Sequence, residues 1–270
     1  IHSYTKFHHS SGLLSGLLGV GGGLVVVPAL ILIFQYTKLF DLELIMHLAV
    51  GTSLAVMMLT VSASAYAYYK RKLIAWSVFV RFLPGLCTGV IVGTWLARQL
   101  SSTILMTLFA IFLMLIALRL FFEKQPEGLV LPEVSTVLRL PSNGLLSLAA
   151  LLTGIMSAFF GIGGGLLMVP FFLYIGLNIY ESSGTSSICG LPIAIMSTIT
   201  LSLSDNTDVV HALVPVGTYG YIYWPAVGLI GIVSVIFAPL GTRLAVHTKP
   251  LILKRLMALV LILTAVNLLL

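Results

Sequence analysis

Eight apolar runs dominate this 270-residue chain, over residues 12–36, 42–69, 73–97, 102–122, 144–177, 184–204, 217–241 and 251–270. Each is long enough for a helix that crosses a hydrocarbon core about 30 Å thick, which takes roughly 20 predominantly apolar residues. Composition leaves no room for a water-solvated globule: 59% of residues are hydrophobic and 8% charged, where a soluble domain carries roughly 25% charged residues. The solvent of this fold is lipid.

Charge and cysteine content remove further classes. The formal charge of +6 comes from a scarcity of acids, with 8 Asp and Glu against 14 Lys and Arg. The bases lie in short scattered clusters, an orientation signal rather than a nucleic-acid groove. The two cysteines, Cys87 and Cys189, both fall inside apolar runs, so no disulfide framework is implied. The start, Ile1 to Ser11, is polar and bears His2, Lys6, His8 and His9.

The chain repeats itself. Gly19-Val20-Gly21-Gly22-Gly23-Leu24-Val25-Val26-Val27-Pro28 returns as Gly161-Ile162-Gly163-Gly164-Gly165-Leu166-Leu167-Met168-Val169-Pro170, with Gly12 and Ser15 matching Gly154 and Ser157. Gly51-Thr52-Ser53 returns as Gly184-Thr185-Ser186, and Gly93-Thr94 as Gly241-Thr242. Three matches in one order define a first repeat over 1–122 and a second over 144–270, joined by the polar linker 123–143.

The orientation signal inverts between the halves. Lys70-Arg71-Lys72 follows the second run of the first half, whereas the corresponding connection of the second half, 205–216, holds Asp205 and Asp208 and no Lys or Arg. There the bases come one connection later, at Arg243, Lys249, Lys254 and Arg255. Inversion needs an odd number of crossings per half, so one of the four runs must fail to cross. A helix over 144–177 would be roughly 50 Å long at about 1.5 Å per residue, and folding it back at Gly161 to Gly165 resolves both problems. The expected fold is all-α and polytopic, with two pseudo-symmetric repeats, each a Gly-rich broken or re-entrant helix plus three transmembrane helices, inverted relative to one another. An eight-helix parallel duplication is the alternative.

The Gly-rich segments are also the leading site candidates. Successive glycines uncover backbone N–H groups, and irregular backbone at membrane depth survives only where protein buries it or a cavity solvates it. A half-helix starting after Gly23 or Gly165 would aim free N–H groups and a positive dipole end at that cavity, which suits an anion. Close helix packing is the competing use of such glycines. The substrate-binding candidates are therefore Gly19, Gly21, Gly22, Gly23, Gly161, Gly163, Gly164 and Gly165, together with the hydroxyls of Thr52, Ser53, Thr185 and Ser186. No Asp or Glu lies mid-run, so a buried carboxylate relay is not indicated. His47 is placed at the interface near Glu43, and Tyr219, Tyr221, Tyr223 and Trp224 in an aromatic belt. The metalloprotease, phosphate-loop and serine-hydrolase motifs are missing, and no cofactor or metal is called for. The enzymatic alternative is a transmembrane thiol oxidoreductase using Cys87 and Cys189, which have no nearby base to activate them.

The twin Gly-rich segments, Ala49-Val50-Gly51-Thr52-Ser53, Tyr68-Tyr69-Lys70-Arg71-Lys72, Pro84-Gly85, Gly220-Tyr221 before Pro225-Ala226, and Pro239-Leu240-Gly241-Thr242-Arg243-Leu244 together resemble the TauE/SafE family of membrane transporters, over nearly the whole chain. The polar, His-bearing start departs from that pattern. The resemblance implies a multi-pass protein of the cell (inner) membrane that exports a small sulfur-containing anion such as sulfite or an organosulfonate. It implies as partners that anion and the lipid bilayer, with no nucleic acid, and leaves oligomeric state, coupling and direction open.

Overall fold

The computed structural model describes residues 23–38, 40–122, 142–203, 215–232, 234 and 250–269. In chain order these form α1 (Gly23–Thr37), α2 (Leu42–Lys70), α3 (Trp76–Gln99), α4 (Ser102–Phe122), α5 (Asn143–Phe160), α6 (Gly165–Tyr174), α7 (Ile179–Ser202), the two-residue strands β1 (Thr218–Tyr219) and β2 (Ile222–Tyr223), and α8 (Pro250–Leu269). A further helical stretch covers 224–232. Among the described residues five helices are long and apolar enough to cross a membrane, namely Glu43–Lys70, Trp76–Gln99, Ser102–Arg119, Asn143–Phe160 and Ile179–Ser202. The fold is that of an all-α multi-pass membrane protein.

Two helices form the centre. Along α2 and α7, Val61 lies against Gly190, Ser64 bonds Ser187 across 3.1 Å, and the Tyr68 ring lies against Gly184. Numbers rise on one helix as they fall on the other, so the pair is antiparallel. The outer helices carry exposed apolar stripes at helical spacing: Ile104, Leu108, Ile111, Leu115 and Leu118 on α4, and Leu145, Leu148, Leu152 and Met156 on α5. These are the faces that lipid solvates.

The tightest helix contact joins α3 and α5. Gly85, Gly89 and Gly93 stand four apart, on one stripe of α3, and a Cβ at these positions would meet the Ser147 carbonyl at 2.5 Å, the Leu151 backbone at 2.9 Å and the Ile155 Cα at 2.8 Å. Gly154 answers from α5, where a Cβ would lie 2.5 Å from the Leu86 carbonyl oxygen. Numbers rise together, so these helices run parallel. Without water to drive them together, apolar helices associate by close packing, and small residues at this spacing let backbones touch.

The long run 144–177 is broken where its glycines fall. α5 ends at Phe160 and α6 begins at Gly165. The break reverses direction: the first turns of α5 meet the Gly85 end of α3, and the last turn of α6 returns to the same end, where Phe172 packs on Phe82 with ring centroids 5.2 Å apart. The two arms are unequal. α5 has 18 residues, about 27 Å, close to a whole hydrocarbon core, whereas α6 has 10, about 15 Å, or half of one.

The run expected from residue 217 does not start as a helix. A two-residue turn at Gly220 and Tyr221 closes a small antiparallel hairpin pairing Thr218 with Tyr223 and Tyr219 with Ile222, and helix begins at 224. The aromatic belt expected here is divided as a result. Tyr219 and Trp224 face outward, but Tyr221 is buried and Tyr223 turns inward onto Phe34 and Phe40, with ring centroids 6.1 and 5.4 Å away.

Candidate functional site

Gly161 makes the reversal possible. It caps α5 in the left-handed region at φ +64°, where a side chain is strained. It also passes so close to α2 that a Cβ would lie 3.2 Å from the Val50 Cα. Ser53 secures the turn by donating its hydroxyl to the Gly161 carbonyl at 3.0 Å. Ser157 secures it from the other side. Its carbonyl accepts from the N–H groups of Gly161 and Ile162, and its hydroxyl oxygen accepts from the Gly164 N–H at 3.1 Å.

The donors of this turn can be accounted for one by one. Gly164 N–H also reaches the Ile162 carbonyl, Gly165 N–H reaches the Gly163 carbonyl, and Leu167 and Met168 bond back to the Gly164 carbonyl. The N–H groups of Gly163 and Leu166 have no partner among the described residues. Residues 161–165 are all buried, and unpaired buried N–H groups are rare in folded proteins. Gly163 is buried and Leu166 half-buried, and uncovered N–H groups at the start of a helix are donors that an anion can use.

Of the other glycine candidates, Gly23 opens α1, and Gly19, Gly21 and Gly22 lie outside the described residues. The GTS segments are brought to the centre, and each binds the opposite half of the chain. A Cβ at Gly51 would strike the Tyr221 carbonyl, and the Thr52 hydroxyl oxygen accepts from the Tyr223 N–H at 3.1 Å. A Cβ at Gly184 would strike the Leu73 carbonyl, and the Thr185 hydroxyl oxygen accepts from the Ala75 N–H at 2.9 Å. Residues 221–224 and 73–76 both lead into the helix that follows the GTS helix of their halves, and both end Ile-x-Trp. The two latches are thus the same construction made twice, with the halves exchanged. Thr52, Ser53, Thr185 and Ser186 are all buried.

His47 is buried, with Nε2 3.0 Å from the Ala97 carbonyl, its ring 5.3 Å from that of Tyr221, and Nδ1 without a partner among the described residues. The bond to the carbonyl places the proton on Nε2 and leaves Nδ1 as an acceptor. Cys87 and Cys189 are both free, and Cys189 is fully buried. Nothing in this arrangement favours thiol chemistry.

Two features were legible in the sequence and overlooked. The Gly85-x3-Gly89-x3-Gly93 spacing announces the α3 and α5 contact. Ser157, repeated from Ser15, is the residue that shapes the Gly-rich turn. The buried hydroxyls of Ser197 and Thr198 carry no such signal, and neither has a partner among the described residues.

Comparison with known proteins covers almost the entire chain. The profile of the family described as "Sulfite exporter TauE/SafE" matches residues 10–268. A "Probable membrane transporter protein" of Haemophilus influenzae is 30% identical over 257 residues, 95% of this chain and 93% of that protein. "Probable membrane transporter protein YunE" of Bacillus subtilis is 32% identical over 59% of this chain and 62% of its own length. "Probable membrane transporter protein YdhB" of the same organism is 30% identical over 68% of this chain and 71% of its own. No solved structure gives a significant match.

Proposed function

The chain belongs to the TauE/SafE family of membrane transporters, and from that premise we propose that it exports a small sulfur-containing anion, such as sulfite or an organosulfonate, bound between two inverted repeats at the Gly-rich turn. One observation carries the site: the N–H groups of buried Gly163 and half-buried Leu166, without partners among the described residues, stand where α6 begins. Such donors favour negative charge and need no side-chain cation.

Two geometries favour the inverted arrangement. α2 and α7 are the corresponding GTS helices of the two halves. They run antiparallel, as an axis in the membrane plane requires and an axis along its normal does not. The latches at Thr52 and Thr185 exchange the halves in the same manner. The fold-back at Gly161 lets the second half begin and end on opposite sides of the bilayer with three net crossings. Transporters of this build bind at the repeat interface, where broken helices meet near the midplane, and expose the site by rocking one repeat against the other.

Export of an anion from a cell with a negative interior is downhill by about 2.3 kcal/mol per charge per 100 mV. No coupled ion is required, which suits apolar runs without a central carboxylate. Flux of labelled sulfite, sulfonates and sulfate through proteoliposomes, with and without a pH gradient, tests the reading. Saturable transport of a sulfur oxyanion is expected. Failure to move any of these anions, by protein shown to be folded, overturns it.

A further inference from the structure

The Gly-rich turn offers two backbone donors, too few to hold an anion with three or four oxygens. Ser197 and Thr198 on α7 are exposed by 0% and 6%, and neither hydroxyl has a hydrogen-bond partner among the described residues. A serine or threonine in a buried helix ordinarily bonds back to the carbonyl four residues earlier, as Thr94, Thr153 and Thr264 do here. An orphan hydroxyl in such surroundings costs free energy, and two adjacent ones call for an explanation.

Two independent observations bring this stretch of α7 toward the turn. Ile193, one helical turn before Ser197 on the same face, has its Cδ1 3.1 Å from where a Cβ on Gly164 would stand. The α2 and α7 pairing gives the same depth. Val61 meets Gly190 and Ser64 meets Ser187, so Ser53 and Leu54 come opposite Thr198 and Ser197, and Ser53 is the residue bonded to Gly161. The two halves differ in this respect. With Gly51 aligned on Gly184, the counterpart of Ser197 is Ser64, whose hydroxyl is paired with Ser187. The unpaired copy is the one beside the described turn.

We infer that Ser197 and Thr198 complete the site, giving hydroxyl donors to the oxygens of a bound oxyanion whose remaining oxygens face the N–H groups of Gly163 and Leu166. The inference rests on the proposed Gly-rich site and makes it selective. Four donors suit the several oxygens of a sulfite, sulfonate or sulfate better than a spherical halide.

Anion-dependent thermal unfolding of the full chain in detergent, with sulfite, sulfate, a short alkylsulfonate and chloride as probes, tests it. Wild-type protein should be stabilised saturably by at least one oxyanion and not by chloride at equal concentration. Ser197→Ala and Thr198→Val should each raise the half-saturating concentration about tenfold or more, the loss expected for a hydrogen bond to a charged group. Without anion, both variants should unfold at or above the wild-type temperature, because they remove an orphan polar group. Ser62→Ala, whose exposed hydroxyl is bonded to the Met58 carbonyl, should leave the half-saturating concentration unchanged. Unchanged half-saturation in both α7 variants, equal stabilisation by chloride, or no stabilisation of wild type by any oxyanion overturns the inference. Oxyanion binding of this pattern without flux in proteoliposomes sustains the inference and overturns the exporter reading instead.

Discussion

Gly89→Ala is the sharpest test of the packing described above. The new Cβ would stand 2.9 Å from both the Cα and the carbonyl carbon of Leu151 and closer still to its carbonyl oxygen. Carbon atoms settle about 3.5–4.0 Å apart, so α3 and α5 must separate by roughly 0.5–1 Å, and a gap of that size forfeits about a quarter to a half of the dispersion energy of each contact it opens. No rotamer change relieves the clash, since the obstacle is backbone. Overpacking of this kind costs about 1–3 kcal/mol. The helix-propensity advantage of alanine offsets little, because an α3 separated from its partners but still in the membrane is helical already. We expect the unfolding equilibrium constant to rise about 5- to 150-fold, measured by reversible denaturation in mixed micelles and followed by tryptophan fluorescence. Gly144→Ala, on α5 with nothing within 4 Å of the new Cβ, should unfold like wild type. Equal stability of Gly89→Ala and Gly144→Ala would refute the close approach of the two helices.

Thr52→Val and Thr185→Val each strip the acceptor from an N–H of the other half, and each should cost about 1–3 kcal/mol in the same denaturation assay; a large effect at one site and none at the other would contradict the exchanged latches. Gly164→Leu should abolish transport while protein still reaches the membrane, because the first atoms its Cβ meets are the Met168 Cε and the Ile193 Cδ1, which can move; loss of the folded protein would assign the glycine to packing. Cys87→Ser combined with Cys189→Ala should leave transport intact, and its loss would revive a thiol mechanism. In a chain free of its native cysteines, Arg71→Cys and Pro250→Cys should label from one side of the membrane and Thr207→Cys from the other; labelling of 207 together with 71 would exclude inversion. Efflux should follow an imposed potential at zero pH gradient, and efflux that follows only the pH gradient would show that a coupled proton is needed.

The break at Gly161 to Gly165 was legible because it needs only local information. A run too long to cross once, interrupted by glycines and followed by Pro170, can hardly continue as one helix. The GTS segments were legible as positions but not as contacts. Thr52 finds Tyr223 across 171 residues, and no single sequence displays that partnership. Tyr221 and Tyr223 were placed in an aromatic belt on composition, yet the turn at Gly220 sends them inward. His47 shows the same limit. Its neighbour in sequence is Glu43, but its partner in space is the Ala97 carbonyl, on another helix. Unequal arms at the break were beyond reach as well, because their lengths follow from how far α5 rides along the glycine stripe of α3.

Glycines of one composition thus serve two mechanical ends, and the neighbours of each tell them apart. At Gly85, Gly89, Gly93 and Gly154 an added Cβ would meet backbone in every case, so α3 and α5 are held as a single stiff unit. At Gly164 it would meet only the ends of Met168 and Ile193. Flexible side chains yield where backbone cannot, and Met adapts to irregular space more readily than other apolar residues. Gly161 lies between these extremes, fixed against the Val50 backbone on one side and against the Val27 side chain on the other. The turn is therefore anchored at its α5 end and compliant at its α6 end. Because α3 belongs to the first half and α5 to the second, a motion that keeps this contact must be taken up at α6, where the uncovered N–H groups of Gly163 and Leu166 stand. Substitutions that stiffen the Met168 contact, such as Met168→Ile, should accordingly slow turnover while leaving the half-saturating anion concentration near the wild-type value. A change confined to affinity would place the compliance elsewhere.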